Sequence, residues 1–415
     1  MDVLIADVIG DLALVLALAW LFGIAARKCG QPAVVGQIIA GIVLGPSLLG
    51  HLPGHLSARF FPHTAVPVLS IVSQVAVALF MFLVGYEVDW QALRRRSGVV
   101  AMVAASAFTV PMALGIGAAL IFRAQFTAVG QVASGRSFVL FIGVAVSITA
   151  LPVLAAIARE RGIDRTPAGL TATSAAGMMD VAAWVVLAAA LATTAGHTGR
   201  PWWVTLLLIT GFAVVMLVAV RPLLRRWMRR VPQTNVFVLA VVLALASAWV
   251  TASIGLHPVF GGFLAGLTMP RLSAAEDVAF RRDLTGVAGL FLPLFFVVTG
   301  LSVNLSSLNG GGFVLLALVC VIAVGGKLGP AFVAGRIGGL NSEDAATVAA
   351  LVNSRGLTEL IALNVGLTAA IIGPQVFCVL VVMAVLTTVV TSPLLALIAS
   401  STARSAAPAD AIQSG

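Results

Sequence analysis

Asp180 lies in an uninterrupted apolar run, preceded by Met178 and Met179 and followed by Val181, Ala182, Ala183 and Trp184. A carboxylate at that depth of a bilayer costs a few kcal/mol or more, so membrane spans keep ionisable groups mainly where ions or protons pass. Lys327, Arg355 and Glu359 are similarly placed in two later apolar segments. Together the four imply a transport pathway through hydrocarbon. A lone carboxylate can hold a proton or a hard cation, and a nearby ammonium shifts the balance between its two states. The plainer readings are also open at this point. Asp180 could make a helix–helix hydrogen bond, and Lys327 could neutralise Asp180 or cap a broken helix. Arg355 and Glu359, four apart, could pair with each other on one helix face.

Such groups need spans to hold them, and the composition supplies spans. Of 415 residues, 60% are hydrophobic and 9% charged. An ordinary soluble protein carries about 25% charged residues, so the chain reads as an all-α polytopic membrane protein. The net charge of +9 does not mark a nucleic-acid binder, because the basic residues cluster in short loops between apolar runs. That is the pattern of topology signals. Cys29, Cys320 and Cys378 are far apart, giving neither a disulfide framework nor metal spacing. The N-terminus lacks a basic signal-peptide region, so the first run is expected to stay as a helix.

Apolar runs of about 20 residues predict thirteen transmembrane helices, near 3–26, 31–50, 66–88, 97–122, 136–158, 166–194, 202–220, 233–253, 256–271, 284–303, 312–336, 343–367 and 372–399. With the N-terminus outside, loops after odd-numbered helices face the cytoplasm. Eighteen of the 24 Lys and Arg residues then lie inside, four (Arg59, Arg123, Arg136, Arg200) lie outside, and Lys327 and Arg355 fall within spans. That bias supports the orientation, an odd helix count and a cytoplasmic C-terminus.

The chain also echoes itself. The third and tenth spans end in stretches, 79–89 and 294–304, that match in register at Leu79 and Leu294, Phe80 and Phe295, Gly85 and Gly300, and Val88 and Val303. Ala40 and Gly41 in the second span echo Ala265 and Gly266 in the ninth, each followed by a proline, Pro46 and Pro270. The offset is seven helices, and an odd offset makes two inverted-topology repeats, a common transporter architecture with its site at the midplane. The fifth and twelfth spans then correspond, and both are interrupted. The fifth contains Ser147, Thr149 and Pro152, and the twelfth runs through Asn353, Ser354, Arg355, Gly356 and Glu359. Broken helices free carbonyls that can coordinate a small cation. Pro152 could instead simply kink a packed helix.

In this combination the chain resembles the monovalent cation:proton antiporter-2 family, which includes NapA-type bacterial antiporters and plant cation/proton exchangers. The stretches that carry the resemblance are 36–47, 79–85, 147–152, 180–184, 257–270, 292–300 and 353–359, in family order over nearly the whole chain. The resemblance implies an NhaA/NapA-like fold with two broken crossing helices, assembled as a homodimer. Residues 1–96 and 233–311 would form dimerisation and panel helices, 97–200 and 312–399 a mobile core, 201–232 a linker helix and 400–415 a short flexible tail.

The expected chemistry is exchange of Na⁺ or K⁺ for H⁺ by competition at Asp180. Thr149, Ser147 and freed carbonyls would complete an oxygen cage suited to hard cations, with Asp180 and Thr149 as metal ligands and no cofactor. Pro152, Asn353, Arg355, Gly356 and Glu359 would support the core. One position departs from the family: the residue before the core aspartate is Met179 rather than Asp, Asn or Gln. A thioether is a poor ligand for hard ions, so electroneutral one-for-one exchange is the simpler expectation. The rival readings are a proton-independent cation efflux channel and a non-transporting membrane scaffold or sensor with a decayed site. No nucleophile–base pair suggests an enzyme. The arginine clusters at 94–96 and 225–230 read as topology and lipid contacts, Glu87 and Asp89 as an interfacial ion pair beside them, and His51, His55, His63, His197 and His257 as outer loop residues. The expected location is the cell membrane, with lipids as the surroundings.

Overall fold

The structure is a computed structural model that describes residues 2–49, 66–87, 98–130, 135–193, 202–228 and 233–406. Every regular element among them is helical. Apart from the short helices Arg123–Ala128 and Leu305–Ser307, in chain order they are α1 (Asp2–Lys28), α2 (Ala33–Leu44), α3 (Val66–Glu87), α4 (Gly98–Ile121), α5 (Arg136–Ser147), α6 (Leu151–Glu160) and α7 (Pro167–Ala192). The α8 rod follows, built of Trp202–Val214, a π-helical stretch Val215–Val220 and Arg221–Met228. Then come α9 (Gln233–Ser253), α10 (Pro258–Thr268), α11 (Ala274–Leu301), α12 (Gly310–Ile337), α13 (Ser342–Val352), α14 (Leu357–Thr368) and α15 (Pro374–Ala406). Ten helical stretches among the described residues are long and apolar enough to cross a membrane, counting α5 with α6 as one. The chain is a multi-pass membrane protein.

Packing divides these helices by neighbour. α1, α2, α3, α9, α10 and α11 pack on one another, while α4 to α7 and α12 to α15 pack on one another. Close backbone approach fixes two crossings in the first set. At Gly41 on α2 and Gly300 on α11, a Cβ would overlap backbone of the facing helix, and at Gly85 on α3 and Gly266 on α10 it would do the same. Only glycine lets the helices meet so closely.

Several sequence-derived limits shift. The ninth span shortens to α10, and the tenth begins ten residues earlier, at Ala274. The cause is a capping box: the Ser273 hydroxyl and the Glu276 carboxylate close the helix start 2.6 Å apart. The last helix runs through Ala406 rather than ending at 399; residues 407–415 of the expected tail lie outside the described residues. Asp89, Arg94, Arg95, Arg96, His51, His55, His63 and His197 also lie outside them. His257 caps α10, its Nδ1 accepting from the Val259 amide at 3.5 Å. Pro152 sits in the first turn of α6, where its missing N–H removes no helical bond. It starts a helix rather than kinking one.

Candidate functional site

The site forms where two pairs of helices end against each other. α5 stops at Ser147 and α6 starts at Leu151; α13 stops at Val352 and α14 starts at Leu357. The linking segments bind each other directly. The Ala150 amide donates to the Ser354 carbonyl at 3.1 Å, the Thr149 hydroxyl to the Val352 carbonyl at 2.9 Å, and the Thr358 hydroxyl to the Thr149 carbonyl at 3.3 Å. These bonds satisfy some of the backbone groups that helix ends leave over.

The two basic side chains finish that task. Lys327, fully buried on α12, donates from Nζ to the Ile148 carbonyl at 2.5 Å and to the Thr149 hydroxyl at 2.5 Å. Arg355, also fully buried, donates from Nη1 to the Ala145 carbonyl at 2.9 Å and from Nη2 to the Val146 carbonyl. Both cations therefore lie on the C-terminal end of α5, where the helix dipole favours positive charge. Nη1 of Arg355 also pairs with Glu359 at 2.8 Å. Glu359 occupies the first turn of α14, where negative charge is favoured. Its second oxygen, Oε2, is buried without a partner.

Asp180 stands apart from this network. It is 2% exposed on α7, and neither carboxylate oxygen makes a hydrogen bond. The Lys327 ammonium acts on it through its charge, and the Leu151 amide faces it without meeting hydrogen-bond geometry. Leu151 is the first residue of α6, so the positive end of that half-helix is directed at the carboxylate. α7 presents Asp180 here because its start is fixed: the Thr166 hydroxyl accepts from the Gly169 amide at 3.1 Å, and Pro167 opens the first turn.

A cavity of about 1040 Å³ reaches the start of α6 and the turn of α7 just before Asp180. It runs between α3 and α11 on one side and α4, α6 and α7 on the other, and its inner lining includes Leu151, Pro152, Gly177 and Met178. Glu87, Arg159, Asp164, Arg281 and Arg282 also line it and form an arginine-rich rim. Glu87 pairs with Arg281 at 3.4 Å.

The structure thus brings Asp180, Lys327, Thr149 and Met179 together; the Met179 sulfur lies 3.9 Å from the Thr149 hydroxyl. Ser147 is buried beside them, but its hydroxyl donates to Val144 of its own helix at 3.0 Å. The Asn353 amide donates to the Thr387 carbonyl at 3.3 Å, leaving its Oδ1 buried and unpartnered. An added Cβ at Gly356 would meet Val153 at 2.7 Å, so the crossing has no room for a side chain there. Among the described residues, no cluster of three or more His, Cys, Asp or Glu is arranged to hold a metal.

Sequence reasoning missed the contribution of α15. The Thr388 hydroxyl donates to the Arg355 carbonyl at 2.8 Å and accepts from its amide at 3.1 Å, holding the α13–α14 break open. The signal was present as Thr387, Thr388, Thr391 and Ser392, four hydroxyls in one apolar span. Tyr86 was missed too; its hydroxyl donates to Asp277 at 2.5 Å, while the Arg271 and Arg281 guanidiniums cover its ring at 4.8 and 5.2 Å. As the sole tyrosine of the chain it carried no pattern.

Comparison with known proteins decides the family. A family profile described as "Sodium/hydrogen exchanger, transmembrane" matches residues 13–399. The chain belongs to the sodium/hydrogen exchanger family. Within that family, it is 36% identical over 393 residues to the Na⁺/H⁺ antiporter NhaS4 of Synechocystis, covering 93% of this chain and 96% of that one. It is 35% identical over 399 residues to cation/H⁺ antiporter 20 of Arabidopsis thaliana, where the match covers 92% of this chain and 47% of the plant protein. The chain thus spans nearly all of the cyanobacterial exchanger and about half the length of the plant one. Among solved exchanger structures, the sodium proton antiporter MjNhaP1 of Methanocaldococcus jannaschii superposes with a TM-score of 0.69 at 18% identity, over 97% of this chain and 99% of that one. That likeness shows a shared fold.

Proposed function

We propose that the protein is a secondary active antiporter exchanging Na⁺ or K⁺ for H⁺ across the cell membrane. The relatives that match over most of this chain are named as cation/H⁺ antiporters, and both sodium and potassium occur in their names. One observation carries the mechanism. Asp180 presents two buried oxygens without hydrogen-bond partners, one helical turn beyond Gly177 of the cavity wall. A buried carboxylate left so needs either a proton or a cation. Holding one excludes the other, and that exclusion couples the two fluxes.

The reading takes thirteen membrane passages, two of them broken. α5 with α6 forms the fifth and α13 with α14 the twelfth, while α2 and α10 are short. The glycine crossings support inverted repeats. Gly41 of the first half meets Gly300 of the second, and Gly266 of the second meets α3 beside Gly85 of the first. These are the residues paired by the sequence echo, exchanged between halves. The two packing groups are then a panel and a core; movement of the core against the panel would close the cavity and expose Asp180 on the opposite side. The arginine-rich rim supports an open side facing the cytoplasm, and with it an N-terminus outside.

Lys327 takes a structural part in this reading, since its ammonium already serves the α5 carbonyl end. Thr149 is held by the same ammonium, so its oxygen becomes a cation ligand only if Lys327 yields. Met179 offers no second carboxylate, and one-for-one electroneutral exchange follows. The family assembles as homodimers by resemblance, and we extend that to this chain, with no cofactor. The test is reconstitution into vesicles with an imposed pH difference. Na⁺ or K⁺ should collapse that difference in wild-type vesicles, with no effect of clamping the membrane potential. A channel would pass cations without moving protons, and a scaffold would do neither. Full exchange by Asp180→Asn would overturn the site.

A further inference from the structure

A second cavity, of about 420 Å³, opens at the far end of α4 and α5, on the face opposite the arginine-rich rim. Its walls are apolar: Ile116, Ala119 and Leu120 from α4, and Phe138, Val139 and Leu140 from α5. Leu120 is 61% exposed, so the groove lies open along the lipid-facing side. Two arginines line it, Arg123 just past the end of α4 and Arg136 at the start of α5. Both are exposed, and no carboxylate pairs with either among the described residues. The apolar stretches of α4 and α5 long enough to span a membrane end at Ile121 and begin at Arg136, so both arginines lie at the ends of their apolar stretches.

We propose that this groove is a binding site for one anionic phospholipid. Arg123 and Arg136 hold the phosphate, and an acyl chain lies between α4 and α5. Apolar walls alone would accept any lipid chain. Two cations on one groove, with no acidic partner, add selection for negative charge. Guanidinium suits this role because its planar fork matches phosphate oxygens. The site is remote from Asp180 and independent of the exchange reading: it would stand in a protein that transports nothing. Its consequence for an exchanger is mechanical. A bound lipid would tie the outer end of the α4–α5 pair to the leaflet and raise the stability of that end.

The test uses purified full-length protein in neutral detergent, titrated with dioleoyl-phosphatidylglycerol or dioleoyl-phosphatidylcholine. Thermal melting and native mass spectrometry serve as the readouts. Wild type should retain one phosphatidylglycerol and melt higher with it, and should do neither with phosphatidylcholine. In Arg123→Gln/Arg136→Gln the affinity for phosphatidylglycerol should fall by about twenty-five-fold, the product of two basic contacts of about fivefold each. Arg123→Lys/Arg136→Lys should keep a good part of the binding, which separates lost charge from lost fold. Glycerol phosphate, lacking the chains, should not raise the melting point. Equal retention of both lipids by wild type, or undiminished phosphatidylglycerol binding in the Gln variant, would overturn the site. A rise in melting point from glycerol phosphate alone would overturn the acyl-chain assignment.

Discussion

Two of the four buried ionisable residues have different work from what a list of charges suggests, and substitutions separate it. Asp180 makes no hydrogen bond. Its replacement by Asn keeps volume and loses only the titratable charge, so exchange should fall to background while folding survives. Size-exclusion profile and melting point check the second half. Lys327 is the reverse case. Lys327→Met leaves the Ile148 carbonyl, now bonded at 2.5 Å, without a donor. A buried acceptor left so costs about 1–3 kcal/mol, so this variant should melt lower as well as exchange more slowly. Arg355 and Glu359 give an ordered pair. Arg355→Gln strands Glu359 and the Ala145 and Val146 carbonyls. Removing one partner of a buried ion pair costs about 3–5 kcal/mol. Glu359→Gln keeps an acceptor for the guanidinium and should cost less. Equal losses in thermal unfolding would mean that the carbonyl contacts contribute nothing. Asp180 was legible in the sequence because an apolar span tolerates the cost of a carboxylate mainly where it binds protons or ions. That Lys327 serves the Ile148 carbonyl and Thr149 was not legible, since it depends on where α5 stops.

At the scale of elements, the informative features were those that backbone chemistry enforces. Proline and glycine mark the interruptions, and Asn353, Ser354, Arg355 and Gly356 announce a break by type. Helix limits were less legible where side chains rather than apolar runs set them, as with Ser273 and Glu276 at the start of α11. The crossing of α2 with α11 makes the strongest element-level prediction. A Cβ at Gly41 would overlap the Val297 carbonyl, and one at Gly300 would approach the Gly41 Cα at 2.7 Å. Backbone cannot step aside as a flexible side chain can. Gly41→Ala should therefore destabilise by about 1–3 kcal/mol, the usual cost of overpacking. Gly117→Ala, half-buried on α4 with nothing within 4 Å of an added Cβ, should be neutral or slightly stabilising. Thermal melting of the two variants side by side checks the contrast, and equal melting points would remove the tight crossing from the account.

For the whole molecule, the direction in which the cavity opens is the property that composition could only hint at. Counting arginines gave a side, but the route from that side to Asp180 depends on how α3 and α11 stand off from α6 and α7. Thr173 and Ser174, and one helical turn further Gly177, lie along that route on α7, approaching Asp180. A cysteine placed at Thr173, with Cys29 and Cys320 replaced, should react with a membrane-impermeant thiol reagent from the arginine-rich side alone. Cys378 is buried and can remain. Labelling should slow as Na⁺ or K⁺ is supplied on the opposite side with no proton gradient, because cation loading there would hold more molecules with the cavity closed. Asp180→Asn should remove that cation dependence and leave basal labelling in place. If the cysteine instead reacts equally from both faces, the cavity is not an alternating path. If labelling is one-sided but indifferent to cations in the parent protein, the path exists and Asp180 is not what the cation engages.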